Sequence, residues 1–274
     1  MTMKREELTQ AFLAKHPDTA ARVLEGLAAD EVAVLFSELP VRLIVPVVRR
    51  INPAMVARIL LSLDFDHQVA IFSQLGPRNS SNVLRNWPGE RRAQIFKSLP
   101  TLLSGRIRVL LDYAPDVVGS IMNTEFITAN INQSVSEIEV VIRASKLDHQ
   151  YDVYVVDDNL YLRGAVSILK LLREDKKKSV RQVMVKNIAS ITATTNITYA
   201  VNHIGWESRM VLPVVDRDQH VVGTLQQSMC LARPEIRDTV DTGFGYLAAD
   251  ILDVYWMGWK SIFGALLTKS PNSL

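Results

Sequence analysis

Cysteine occurs once in this chain of 274 residues, at Cys230. A single thiol excludes an internal disulfide framework and suits a reducing compartment. Aromatic residues make up only 7%, and they do not interleave with basic residues in the manner of a nucleic-acid reader, so no nucleic-acid partner is expected. No run reaches about 18 uncharged apolar residues, the length a membrane-spanning helix needs. The opening MTMKREELTQ has no apolar segment of the signal-peptide kind, which makes a cytoplasmic location the expectation. The five histidines, His16, His67, His149, His203 and His220, are scattered and show no metalloprotease spacing. Neither a GxSxG elbow, nor a P-loop, nor a dinucleotide-binding glycine pattern is present. Cys230 lies in an apolar helical stretch and reads as core rather than as a nucleophile. Together these absences predict a protein that is not an enzyme.

What is present is a period. Residues 17–112 divide into eight blocks of twelve, from PDTAARVLEGLA to TLLSGRIRVLLD, with no insertion. The seventh place is aliphatic throughout: Val23, Leu35, Val47, Ile59, Ile71, Val83, Ile95 and Ile107. The eleventh is large and apolar throughout: Leu27, Leu39, Ile51, Leu63, Leu75, Trp87, Leu99 and Leu111. The fifth is mostly small, and the twelfth is usually a helix breaker, as at Pro40, Asn52, Asp64, Gly76 and Pro88. A fixed period of this kind marks a stacked repeat. Twelve residues hold one helix of about two turns and a corner, and places seven, eight and eleven share one helix face. Helices this short are marginal alone, so they must be stabilised by stacking. The expectation is a right-handed superhelix of short helices over residues 1–112. Asp64-Phe65-Asp66-His67 looks metal-like, but it falls at a block corner where Asp caps helices.

The formal charge is +2 and is unevenly spread. Residues 1–112 hold 15 Lys+Arg against 11 Asp+Glu. Arg42, Arg49, Arg50, Arg91, Arg92, Arg106 and Arg108 are either a patch for an anionic partner or a solvated outer face.

After Asp112 the pattern changes, and residues 113–120, YAPDVVGS, read as a joint. Two similar segments follow, over 113–177 and 178–234. Each has a Met-containing start, a short strand, a helix, a strand ending in Val-Val-Asp, a polar turn, a strand beginning at Gly, and another helix. The runs Val153–Val156 and Val211–Val215 read as buried strands joined by hairpin-like turns. Lys176-Lys177-Lys178 reads as a solvated linker between the segments.

This order resembles a pair of CBS (cystathionine-β-synthase-type) domains. A twelve-residue helical repeat followed by such a pair resembles the cytosolic region of MgtE-type magnesium transporters. Asp116-Val117-Val118-Gly119-Ser120-Ile121-Met122-Asn123-Thr124-Glu125-Phe126 is similar to the junction of that family. The resemblance covers about residues 17–260. It implies a multidomain α plus α/β chain, a non-catalytic regulatory role, homodimerisation through the CBS pair, and Mg²⁺ sensing by facing carboxylates. Hard Mg²⁺ takes oxygen ligands, and clustered carboxylates repel when no cation is present. This chain has few of those charges: the acidic helix of the family reads Leu225-Gln226-Gln227-Ser228-Met229-Cys230-Leu231 here. Asp157, Asp216, Asp250 and Asp253 are the metal candidates, and the first two have a plain alternative as turn-capping residues. The adenosine-binding pattern of CBS modules, Gly-x-x-Ser/Thr-x-x-Asp, is reduced to Gly164, Ser167 and Lys170. A Lys at the last place can contact a phosphate but cannot accept from ribose hydroxyls.

Residues 235–274 are expected to form a connecting amphipathic helix and tail. Its apolar stripe includes Phe244, Leu247, Ile251, Tyr255, Trp259, Ile262 and Leu266. Tyr255, Trp256, Trp259 and Phe263 are the candidate contact residues, toward a second copy, a membrane surface or a membrane-protein partner. Residues 254–267 hold too few apolar positions to cross a bilayer. The resemblance therefore implies a sensor region without a channel, either as a regulatory protein or as a Mg²⁺-responsive part of a transporter.

Overall fold

A computed structural model describes residues 2–145 and 152–231. The chain divides into two compact units, one running to Ser104 and the other starting at Gly105. The stretch from 235 onward, with Asp250, Asp253, Tyr255, Trp256, Trp259 and Phe263, lies outside the described residues.

The first unit starts with α1 (Thr2–Lys15). One helix per block follows: α2 (Pro17–Glu25), α3 (Ala29–Ser37), α4 (Val41–Val48), α5 (Pro53–Leu61), α6 (Phe65–Leu75), α7 (Pro77–Leu84), α8 (Gly89–Ser98) and α9 (Thr101–Asp112), whose residues from Gly105 on belong to the second unit. Each begins at the first place of its block. Proline opens α2, α5 and α7, where its fixed φ suits the first helical position and no amide hydrogen is missed. The twelfth place supplies the N-cap of the next helix. The Asn52 side chain accepts from Ala54 N, and Asp64 accepts from His67 N. The breaker residues thus both end one repeat and start the next.

From α2 to α6 each helix packs on the one two blocks further on: α2 on α4, α3 on α5, α4 on α6, α5 on α7 and α6 on α8. This is a spiral in which alternate repeats form two stacks. The stripe lies inward as expected at Val23, Val47, Ile59, Ile71, Val83, Ile95 and Ile107. Leu35 is the exception and is half-buried, because α3 turns Val32, Ala33 and Phe36 inward instead. Leu27 and Leu111, at the two ends of the series, are half-buried as well. The small fifth place is buried at Ala21, Ala33, Val45, Ala57 and Ser81 and exposed at Ala93 and Gly105. Polar groups tie the stacks. Trp87 Nε1 donates to the Ala57 carbonyl at 2.9 Å, and its ring meets Phe72 edge-on at 5.3 Å. Buried Gln68 donates to the carbonyls of Leu60 and Leu63 at the corner after α5.

The second unit contains two sheets. In the first half are η1 (Val118–Ser120), β1 (Thr128–Asn130), α10 (Val135–Ala144), β2 (Asp152–Val156), β3 (Leu162–Ser167) and α11 (Ile168–Arg173). The second half has α12 (Val180–Val183), β4 (Val185–Lys186), β5 (Ile191–Thr192), α13 (Ile197–Ala200), η2 (Ile204–Glu207), β6 (Val211–Val215), β7 (Val221–Gln226) and α14 (Gln227–Leu231). In each sheet a parallel pair is followed by an antiparallel hairpin, β1-β2-β3 and β5-β6-β7. Both hairpins shift register at the same place, Val155/Val156 and Val214/Val215.

The lead-in segments are exchanged between the halves. β4, near the start of the second half, pairs with β3 of the first. Asn123, near the start of the first half, pairs with Thr224 on β7 through two backbone hydrogen bonds of 2.7 and 2.9 Å. Val118, Ile121 and Met122 accordingly pack in the core of the second half, and Val180 and Val183 in that of the first. Residues 113–120 are therefore core-forming from Val118 on, rather than a plain joint. The lysine run is exposed but anchored. The carbonyls of Lys176 and Lys178 accept from Ser136 N and Val135 N, and Lys176 Nζ pairs with Glu139 at 3.1 Å.

Candidate ligand and metal sites

Gly164 and Gly223 hold equivalent places on β3 and β7. A Cβ on Gly164 would meet the Val185 carbonyl oxygen, and one on Gly223 would meet Met122 Sδ at 2.6 Å and the Asn123 carbonyl at 3.0 Å. Both glycines are required by the close passage of the exchanged lead-in segment. Three residues beyond Gly164, Ser167 caps α11 by accepting from Lys170 N at 3.2 Å. Gly164 and Ser167 thus belong to one strand-to-helix turn, with Lys170 exposed at its rim. In the second half the matching places are Gln226 and Met229, and Gln227 Nε2 donates to the Val201 carbonyl. Only the first half retains a hydroxyl and a cation at this turn.

Asp157 and Asp216 directly follow β2 and β6 and organise the turns there. Asp157 Oδ1 accepts from Asn159 N and Tyr161 N, and Oδ2 from Arg163 Nε at 2.7 Å. Asp216 Oδ1 accepts from Asp218 N and His220 N, and Oδ2 faces His220 Nδ1 at 3.2 Å. At both aspartates desolvation opposes ionisation, yet the hydrogen bonds outweigh it and hold the carboxyl below its ordinary value. The donors at Asp157 are Arg163, then the Tyr161 and Asn159 amides. At Asp216 they are the His220 amide and ring, then the Asp218 amide. The two turns meet: Tyr161 bridges His220, and their rings lie 4.8 Å apart.

Asp216, Asp218 and His220 present ligand atoms within 4.8 Å of one another, the one such grouping among the described residues. An imidazole nitrogen in the set suits a borderline divalent ion better than Mg²⁺, which prefers oxygen. Asp157 has both oxygens engaged, one by a guanidinium. The sequence motifs did not signal Asp218 and His220 as partners of Asp216, although their spacing of two and four along a turn is legible afterwards.

In the first unit a shallow cavity of about 250 Å³ lies between α3 and α5. Asp30, Ser37, Ser62 and Asp64 line it above Ala33 and Leu63. Ser62 Oγ donates to Asp30 at 2.7 Å, and Asp64 is engaged by His67 through both oxygens.

No helix among the described residues is long and apolar enough to cross a membrane. The family of the MgtE intracellular N domain matches residues 15–116, and the CBS domain family matches 118–177 and 180–230. Among curated relatives, the magnesium transporter MgtE of Enterococcus faecalis is 29% identical over 122 residues, 44% of this chain and 27% of that protein. The magnesium transporter MgtE of Thermus thermophilus is 28% identical over 134 residues, 47% of this chain and 30% of that protein. The matched segment is thus under a third of either relative's length. The crystal structure of the cytosolic domain of the Mg²⁺ channel MgtE in complex with ATP shares the fold, with a TM-score of 0.71 at 21% identity. It covers 81% of this chain and 92% of that one. The chain therefore carries an MgtE intracellular N domain followed by two CBS domains, in the fold of the cytosolic domain of the Mg²⁺ channel MgtE.

Proposed function

We propose that the chain is a non-catalytic regulatory module of a magnesium transport system, acting in the cytoplasm through homodimerisation and protein contacts. Domain order carries the reading: a helical N domain feeding directly into a CBS pair. The non-catalytic part of the reading rests on the two domain types rather than on any single residue. Cys230 is fully buried, and His67 and His220 are each turned to an aspartate.

Exposed apolar side chains support the dimer. Val140 and Val141 on α10 and Leu169 and Leu172 on α11 lie open beside the first sheet. Tyr199 and Ile204 do so in the second half, with Met210 following. Apolar surface of this kind is normally covered by a partner, and twinned halves suit a second copy because a two-fold interface is self-complementary. Any Mg²⁺ response is reduced in this proposal, since Asp157 and Asp216 are committed to turn hydrogen bonds. A CBS-bound adenosine nucleotide would meet Ser167 and Lys170 in the first half only. Contact with a membrane protein, or with the membrane surface, is proposed for residues 235–274.

Native mass spectrometry of the full chain, with and without Mg²⁺ and ATP, tests the proposal. A dimer that Leu169→Asp with Leu172→Asp dissociates is expected, with little dependence on Mg²⁺. A monomer at micromolar concentration defeats the dimer reading. Strong, cooperative protection from proteolysis by millimolar Mg²⁺ would replace the reduced response with a genuine magnesium sensor.

A further inference from the structure

Asp216, Asp218 and His220 stand two residues apart along the β6–β7 turn, and each brings a ligand atom within 4.8 Å of the other two. The chain contains its own control for this turn. The β2–β3 turn is built the same way: Asp157 collects the amides two and four residues on, as Asp216 does. Those bonds use one aspartate and two backbone amides, so the turn does not need the side chains two and four places on. In the first turn these are Asn159 and Tyr161, and Arg163, six places on, pairs with Asp157. In the second they are Asp218 and His220, with Val222 where the arginine stands. The second turn thus has a further carboxylate and an imidazole, and no guanidinium at the matching place. Among the described residues no Lys or Arg pairs with Asp216, and the Asp218 carboxylate has no partner. Two carboxylates this close repel unless a cation lies between them.

The spacing suits a small ion. Asp216 Oδ1 is taken by two amides, but Oδ2 faces only His220 Nδ1, at 3.2 Å. Ligand atoms around a tetrahedral Zn²⁺ stand about 3.4 Å apart, so this pair is already at coordination spacing. Asp218 is exposed, and rotation of its short side chain brings an oxygen to the same point. Tyr161 of the first half holds the imidazole: the rings lie 4.8 Å apart, and the two residues pair through a backbone bridge. Two carboxylate oxygens and an imidazole nitrogen, with water completing the tetrahedron, match a borderline divalent ion. Mg²⁺ prefers an all-oxygen octahedron.

We propose that Asp216, Asp218 and His220 bind a borderline divalent cation of the Zn²⁺ or Co²⁺ class. The site lies within one chain and rests neither on the dimer nor on a magnesium response.

Calorimetric titration of the full chain with Zn²⁺ and with Mg²⁺, at equal ionic strength, tests it. Zn²⁺ is expected to bind at least tenfold more tightly than Mg²⁺. His220→Ala removes a ligand, and Asp218→Asn gives the second turn the residue that the first already accommodates. Each should weaken Zn²⁺ about tenfold or more. His67→Ala, which takes the imidazole from the other Asp–His pair, should leave the affinity unchanged. Paramagnetic Co²⁺ locates the site, because Tyr161 is the ring beside His220. The Tyr161 ring resonances should broaden in the parent and stay sharp in Asp218→Asn. No Zn²⁺ binding, Mg²⁺ bound as tightly as Zn²⁺, or Zn²⁺ affinity that survives His220→Ala or Asp218→Asn overturns the proposal.

Discussion

Asp157 and Asp216 perform the same act 59 positions apart in the numbering: each gathers two turn amides on Oδ1, from the residues two and four places on. The residue just before the last of these amides, Leu160 in one turn and Gln219 in the other, takes a positive φ of 64° or 67°. A left-handed residue costs free energy, and the carboxylate hydrogen bonds offset that cost. Since both carboxyls have native values below the ordinary one, their stabilisation is complete above about pH 4 and is lost as the pH falls through the lower native value. Urea midpoints measured from pH 6 down to pH 2 should therefore fall. Asp157→Asn and Asp216→Asn should each be less stable at pH 6 and show a shallower fall. Parallel curves for variant and parent would defeat the assignment.

Trp87 joins two repeats that are not neighbours in sequence. Its indole donates to Ala57 and its ring packs on Phe72. Trp87→Phe retains most of the apolar contact and removes the indole hydrogen bond to the Ala57 carbonyl, a loss of about 1 kcal/mol. Trp87→Ala removes the ring as well, and about 3–5 kcal/mol is expected. Chemical denaturation of the two variants should rank them in that order. Equal losses would mean that the ring packing contributes nothing.

The helical repeat was legible because its code is local. Places seven, eight and eleven lie within one helix, and the twelfth place caps the next, so each block states its own inward face. Leu35 escaped because α3 is rotated to bury Val32, Ala33 and Phe36, and an aliphatic residue at place seven does not report rotation. The exchange of lead-in segments was not legible. Asn123 and Thr224 are about a hundred residues apart, and β4 is two residues long. Segments that short carry no period, and their partners are chosen by the folded halves rather than by neighbouring sequence. The glycines were the available signal: Gly164 and Gly223 marked the places where another backbone passes.

That signal gives a prediction. At Gly164 an added methyl meets a carbonyl oxygen of β4, which a sheet cannot move cheaply. At Gly223 the first obstacle is the Met122 side chain, and methionine adapts. Gly164→Ala should cost about 1–3 kcal/mol, and Gly223→Ala distinctly less. Thermal unfolding that ranks them in the reverse order would mean that the two crossings are not built alike.

Lys170 stands where adenosine-binding CBS modules have Asp. Its amide is committed to Ser167, while its side chain is exposed at the rim of the turn. Ammonium has three donors and no acceptor, so ribose hydroxyls find nothing to donate to. Lys170→Asp supplies a charged acceptor there, and a hydrogen bond to a charged group contributes about 1.5–3 kcal/mol, tenfold or more in affinity. Calorimetric titration with adenosine should show tighter binding to Lys170→Asp than to the parent. Adenosine is the right probe because it has no phosphate for Lys170 to attract, so the comparison isolates the ribose. If adenosine binds the parent and Lys170→Asp equally, the turn at Gly164 and Ser167 does not face the ribose, and the nucleotide reading of this half fails.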